Sequence, residues 1–178
     1  MKTLLLNSVI IGAIVFGSLA CDNHKNTTKP EPGKASTIES ATNHAAKSLP
    51  SFKMANSKGD IVEMSQFKGK KLFVNLWASW CPPCRREMPS IEKLYQKVDT
   101  SKVAFIMLAL DDRFEKSIAW ANKQKLNLPL YYPAENLPPL FEVDGIPVTF
   151  IFNEAGELVH QVEGSDNYNT AAYKKMFD

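Results

Sequence analysis

The feature that most constrains this chain is a dense β-forming run that ends on a Cys-x-x-Cys pair and leads into an amphipathic pattern. Leu72-Phe73-Val74-Asn75-Leu76-Trp77 has the composition and length of a buried central strand. Trp80-Cys81-Pro82-Pro83-Cys84 follows within three residues. From Arg85 to Val98, apolar Met88, Ile91, Leu94, Tyr95 and Val98 recur at three-and-four spacing, which predicts a helix with one buried face. Cys81 therefore stands at a strand-to-helix junction. Unpaired N–H groups and the dipole at a helix start favour a thiolate, the reactive form of cysteine. Two intervening residues put the second sulfur one turn away, within reach of a reducible disulfide. Pro82 and Pro83 sit where a missing N–H donor costs least and fix the turn. Arg85 and Arg86 add positive charge in the first turn, where they either lower the Cys81 pKa or face solvent.

Further elements on both sides of this junction predict one α/β domain from about Leu49 to Asp178. Phe52–Met54 and Ile61–Glu63 flank the turn-rich Asn56-Ser57-Lys58-Gly59-Asp60, a hairpin pattern. Val103–Leu108 reads as a second buried strand, and the stretch around Phe114, Ile118 and Trp120 reads as a helix that Asn127 and Pro129 end. Val148–Phe152 and Leu158–Val162 bracket Asn153-Glu154-Ala155-Gly156, a second antiparallel hairpin. Thr170–Phe177 forms a closing helix. This order predicts a mixed central sheet covered by helices on both faces, with an N-terminal β-hairpin.

Composition narrows the chemistry. The net charge is +2 and there is no long Lys/Arg run, so nucleic acid is not an expected partner. The chain has three cysteines, Cys21, Cys81 and Cys84, too few for a disulfide framework. A zinc ribbon needs a second ligand pair, which is missing, so no metal is expected. Covalent haem attachment needs His after Cys84, and the residue is Arg85. A purely structural bridge remains open, but closing so small a loop removes little chain entropy. Redox chemistry fits the pair best, and it needs no small-molecule cofactor.

The N-terminus reads as a targeting segment. Lys2, the nearly continuous apolar stretch Leu4–Phe16 and the small residues Gly17-Ser18-Leu19-Ala20 have the proportions of a signal peptide over residues 1–20. Small residues followed at once by Cys21 resemble the lipobox of bacterial lipoproteins, which makes Cys21 the expected lipid attachment site. Ser18 departs from the leucine usual three places before that cysteine. A plain secretory signal and an uncleaved anchor are the other readings, and all three export the domain. Residues 21–47 then form a tether. Asp22–Lys47 has no aromatic residue and one large aliphatic, Ile38, too little apolar surface to offset ordering entropy. About 26 flexible residues reach roughly 30 Å. Residues 48–178 make up the folded domain.

The sequence resembles the thioredoxin superfamily. Val74–Cys84 looks like that family's active-site strand and loop, and Gly145-Ile146-Pro147-Val148-Thr149-Phe150-Ile151 looks like its second signature, in which the bond before proline is cis. Trp80 matches the tryptophan before the reactive cysteine, and Pro147 matches the proline opposite the disulfide. The insertion near Asp111–Tyr132, the exported context and the tether make the chain similar to the TlpA/ResA group of membrane-anchored thiol–disulfide oxidoreductases. Cytosolic thioredoxins carry a buried Asp six residues before the first cysteine, as proton acceptor for the second. Here that residue is Asn75, as the anchored group tends to have, and an acid, Glu87, stands three positions after Cys84. A helical residue one turn beyond Cys84 shares its face, so a partly buried Glu87 could take that proton. An ordinary first-turn glutamate favoured by the helix dipole is the alternative.

The resemblance implies an extracytoplasmic enzyme facing the periplasm or cell exterior. Cys81, Cys84 and Glu87 would carry the chemistry. Trp80, Pro82, Ile146 and Pro147 would line the groove for a partner strand. Implied partners are disulfide-containing proteins, apocytochrome c among them, and a membrane thiol reductant as electron donor. Three alternatives remain open. One is a peroxiredoxin-like peroxidase, although the Pro-x-x-x-Thr-x-x pattern before its cysteine is missing in Val74–Trp80. The others are an inert lipid-anchored binding module and an oxidase or isomerase of the same family.

Overall fold

In the computed structural model, residues 48–178 are described, and the leader and tether expected over residues 1–47 lie outside them. Seven strands form one mixed sheet: β1 Lys53–Asn56, β2 Ile61–Glu63, β3 Lys71–Trp77, β4 Val103–Ala109, β5 Leu130–Pro133, β6 Val148–Phe152 and β7 Leu158–Glu163. Their spatial order is β2-β1-β5-β4-β3-β6-β7. Strands β3, β4 and β5 run parallel; the β1–β2, β1–β5, β3–β6 and β6–β7 pairs are antiparallel. Three α-helices complete the domain: α1 Pro82–Tyr95, α2 Phe114–Lys123 and α3 Ala171–Met176. The expected α/β fold with its N-terminal hairpin is the observed one.

The helices are distributed by a handedness rule. β3, β4 and β5 step across the sheet in one direction, and parallel crossovers are right-handed. The helices α1 and α2 therefore land on the same face. Phe73, Trp77, Val103, Phe105, Met107 and Ile151 pack there with Met88, Ile91 and Leu94 of α1 and Ala121 of α2. Tyr173 and Phe177 at the C-terminus join this cluster. Alternate residues of the same strands, Leu72, Val74, Leu76, Ile106, Leu108, Val148 and Phe150, point to the other face, as period-two geometry requires. That face is covered by two short 3-10 helices, Met64–Phe67 and Pro139–Phe141, and by Phe52 and Met54 near β1. Helices thus cover both faces, α-helices on one and 3-10 turns on the other.

Aromatic packing fixes the α1 side. Phe73 stacks on Phe105 with ring centroids 4.7 Å apart, and Tyr168 meets Phe73 edge-on at 5.0 Å. The β6–β7 hairpin turns at Gly156, whose φ of +80° favours glycine; a Cβ there would also lie 3.3 Å from the Leu49 Cβ. Leu49 N donates to the Gly156 carbonyl at 2.7 Å, tying the start of the described chain to that turn.

Candidate active site

The strand β3 delivers the site. Its last residue, Trp77, is fully buried, and the Ala78–Trp80 turn hands the chain to α1. Cys81 is the N-cap residue of α1, in extended backbone, and Cys84 N donates to its Sγ at 3.3 Å. The sulfur therefore occupies the place of a capping oxygen and receives one of the helix's free donors. Pro82 and Pro83 fill the first helical positions, which lack intrahelical acceptors in any case. The helix continues through Pro89 to Tyr95.

Cys81 and Cys84 form a disulfide with Cα atoms 5.4 Å apart. Cys84 is wholly buried and Cys81 is 3% exposed, whereas neighbouring Trp80 is 63% exposed. The Ile146–Pro147 peptide bond is cis. The Ile146 carbonyl oxygen lies 3.7 Å from Cys81 Sγ, which places the second signature against the first. Beside them opens a cavity of about 480 Å³ lined by Ile146, Pro147 and Val148, with Glu142, Asp144 and Glu163 around it. Trp80 and Pro82, expected in the same groove, do not line this cavity. Arg85 is exposed and sits over the Trp120 ring, 5.5 Å from its centroid. It is therefore engaged with α2.

One helical turn beyond Cys84 begins a buried polar chain. Its first member, Glu87, is only 2% exposed. Asn75 Nδ2 donates to Glu87 Oε1 at 2.8 Å and to Thr149 Oγ1 at 2.9 Å, and the Tyr168 hydroxyl donates to Thr149 Oγ1 at 2.7 Å. Asp166 N donates to Glu87 Oε2 at 3.3 Å. Burial raises the Glu87 pKa from 4.5 to about 7; the donors from Asn75 and Asp166 pull the other way, and the Asp166 carboxylate adds to the rise. Burial likewise pushes the Tyr168 hydroxyl well above its ordinary range, so it stays protonated and donates to Thr149. The segment after β7 is pinned over Glu87: Tyr168 N donates to Ser90 Oγ at 3.0 Å, and the Tyr173 hydroxyl donates to Asp166 Oδ2 at 2.5 Å.

Sequence reasoning missed Thr149, Tyr168 and Asp166 as parts of the site. Thr149 lies within the second signature, but nothing in the sequence singles out its hydroxyl. Tyr168 and Asp166 carry no local pattern; only the tertiary path of the chain brings them to Glu87. Among the described residues, no group of three or more His, Cys, Asp or Glu could hold a metal ion.

These features coincide with a family match. The model of the AhpC/TSA family covers residues 45–161. The chain belongs to the AhpC/TSA family. The chain is similar to the thiol-disulfide oxidoreductase ResA of Bacillus thuringiensis strain Al Hakam. The two are 29% identical over 119 residues, spanning 66% of this chain and 69% of ResA. ResA of Bacillus thuringiensis subsp. konkukian is 31% identical over 123 residues, with the same coverage. The thioredoxin-like protein YneN of Bacillus subtilis is 32% identical over 60% of this chain and 64% of YneN. StoA of Bacillus subtilis superposes with a TM-score of 0.61 at 24% identity, covering 72% of this chain and 97% of StoA. The thioredoxin domain of the Bacteroides vulgatus oxidoreductase BVU-2223 gives 0.66 at 20% identity, covering 75% and 97%. The fold is thioredoxin-like, and the protein is a thiol–disulfide oxidoreductase similar to ResA and YneN.

Proposed function

We propose that this protein is an exported, membrane-anchored reductase of protein disulfides. The observation that carries the disulfide chemistry is the Cys81–Cys84 pair at the start of α1 with the Ile146 carbonyl 3.7 Å from Cys81 Sγ. Glu87, a buried acid one helical turn from Cys84 with its pKa raised to about 7, suits proton exchange with a thiol at neutral pH. In the reduced enzyme, the Cys81 thiolate attacks a partner disulfide. The partner S–S bond breaks, a Cys81–partner mixed disulfide forms, and the released partner thiolate takes a proton from solvent. Cys84 then loses its proton to the Glu87 carboxylate, and its thiolate attacks the Cys81 sulfur. The Cys81–Cys84 bond forms and the second partner thiolate leaves, so two electrons have passed to the partner. Asn75 holds Glu87 in place; an amide cannot itself take the proton.

The partner strand docks along the cavity beside Ile146 and Pro147, offering its backbone to theirs, with Trp80 and Pro82 exposed next to the reactive cysteine. Protein disulfides, including those of apocytochrome c, are the substrates in this reading, and a membrane thiol reductant restores the dithiol. Residues 1–20 and the lipobox-like Ser18-Leu19-Ala20-Cys21 support export and lipid attachment at Cys21. Among the described residues, no helix is long and apolar enough to cross a membrane. Loss of membrane association and of lipid labelling in Cys21→Ala tests the anchor.

The family match brings forward a second reading, a peroxidase. Against it, the residues seven and three places before Cys81 are Val74 and Ala78, where a peroxidatic site of the Pro-x-x-x-Thr-x-x pattern has Pro and Thr. One titration of the dithiol against defined redox buffers decides the direction of electron flow. A reductant sits near about −270 mV, as thioredoxin does, and an oxidant near about −120 mV. A value near the latter, or rapid peroxide turnover by the purified protein, would overturn the proposal.

A further inference from the structure

Asp111 is buried at 3% exposure on the segment between β4 and α2, and nothing in the exchange reaction uses it. Three donors converge on its carboxyl group. Ser79 N donates to Oδ2 at 2.9 Å, the Ser79 hydroxyl donates to Oδ1 at 2.5 Å, and the Ser117 hydroxyl of α2 donates to Oδ2 at 2.5 Å. Ser79 is the middle residue of the Ala78–Trp80 turn, two places before Cys81.

We infer that Asp111 is a positioning residue for disulfide exchange: it clamps the Ser79–Trp80 turn to α2 and so sets where Trp80 and the Cys81 sulfur stand. Three features support this. The turn is fastened at its edges by backbone alone, Leu110 N to the Trp77 carbonyl at 2.8 Å and Cys81 N to the Ala78 carbonyl at 3.1 Å. Its middle is tied by Asp111. The same carboxylate also accepts from Ser117 of α2, so one buried group couples the turn to that helix. The indole of Trp80 is exposed, with no core contact to hold it. The backbone beneath it must therefore be held if Trp80 and the sulfur are to meet a partner in fixed geometry.

The inference rests on the exchange proposed above at Cys81 and is independent of whether Glu87 moves the proton. The test uses the full chain, reduced beforehand, with three variants: Asp111→Ala, Ser79→Ala and Ser79→Thr. Two quantities are read well below each variant's melting temperature: the second-order rate of insulin disulfide reduction and the fluorescence anisotropy of the indoles. Asp111→Ala is expected to slow reduction at least ~10-fold, because small misplacements of reacting groups are costly in rate. It should also lower the anisotropy, since Trp80 gains freedom. Ser79→Ala should move both readouts in the same direction by a smaller factor, about threefold in rate. Ser79→Thr keeps the hydroxyl and should keep the parent values. A folded Asp111→Ala with parent rate and anisotropy would overturn the inference and leave Asp111 a purely structural group. Should Asp111→Ala fail to fold, the serine pair decides, and a Ser79→Ala protein equal to the parent in both readouts would overturn it.

Discussion

Replacing Glu87 with glutamine should make the stability of the oxidised domain respond differently to pH, and the size of the effect follows from the burial of that carboxyl group. Its pKa stands at about 7 in the folded chain against 4.5 for an ordinary glutamate. An acid whose folded pKa is raised holds its proton in the folded state over a range where the unfolded chain has lost it. Its contribution to stability is complete below about 4.5 and is lost as pH rises through about 7. At about 1.4 kcal/mol per pH unit, the gap corresponds to about 3 kcal/mol withdrawn between pH 4 and pH 8. Glutamine does not titrate, so Glu87→Gln escapes this loss. It keeps one acceptor for Asn75 Nδ2 but turns a donor toward Asp166 N or Asn75, forfeiting about 1 kcal/mol at every pH. The variant should be about 2 kcal/mol more stable than the parent at pH 8 and about 1 kcal/mol less stable at pH 4. Urea denaturation of both oxidised proteins at pH 4, 6 and 8 measures the difference. Curves that stay parallel across that range would refute the argument, because they would mean that Glu87 titrates as an exposed acid.

Cys84→Ser should leave a single active-site thiol that alkylates faster than free cysteine at pH 7, because the Cys81 N-cap position draws its pKa below about 8.5; a rate no faster than that of free cysteine would assign the nucleophile wrongly. Tyr168→Ala should uncover Glu87 by removing the side chain that fastens the β7–α3 segment to Thr149. The carboxyl titration, followed by carbon-13 NMR of labelled glutamate, should fall from about 7 toward 4.5 while Cys84 stays buried; an unchanged midpoint in a folded variant would show that burial comes from elsewhere.

Most strands and the α1 and α2 helices were legible because their patterns are local. The alternation of Leu72, Val74 and Leu76 with Phe73 and Trp77 distributes β3 between two cores, and the three-and-four spacing of Met88, Ile91 and Leu94 orients α1. The short strand Leu130–Pro133 escaped notice because Pro129 and Pro133 frame it as a breaker region. It forms because β4 on one side and β1 on the other supply partners. The same limit applies to the site. Cys81 and Cys84 could be read from their place at a helix start, whereas Asp111 and Tyr168 reach the site through tertiary contacts that leave no periodicity. Trp80 and Pro82 were expected along the same groove as Ile146 and Pro147. The order of residues gives their nearness to the sulfur but not which residues line the neighbouring cavity.

The position of the acid has a mechanical consequence. Glu87 and Cys84 share one helix, so their spacing is set by helical geometry and is insensitive to how α1 packs on the sheet. The environment of Glu87, in contrast, is assembled from distant chain. Asn75 comes from β3, Asp166 and Tyr168 from the segment before α3, and Thr149 from β6 supports both Asn75 and Tyr168. Distance to the sulfur and proton affinity are thus controlled by different parts of the fold. An acid on β3 in place of Asn75 would tie the two together, since any shift of α1 over the sheet would change separation and burial at once. With Glu87 on the helix and Asn75 on the strand, changes in the β7–α3 segment can tune the proton acceptor while Cys81 and Cys84 keep their places at the start of α1.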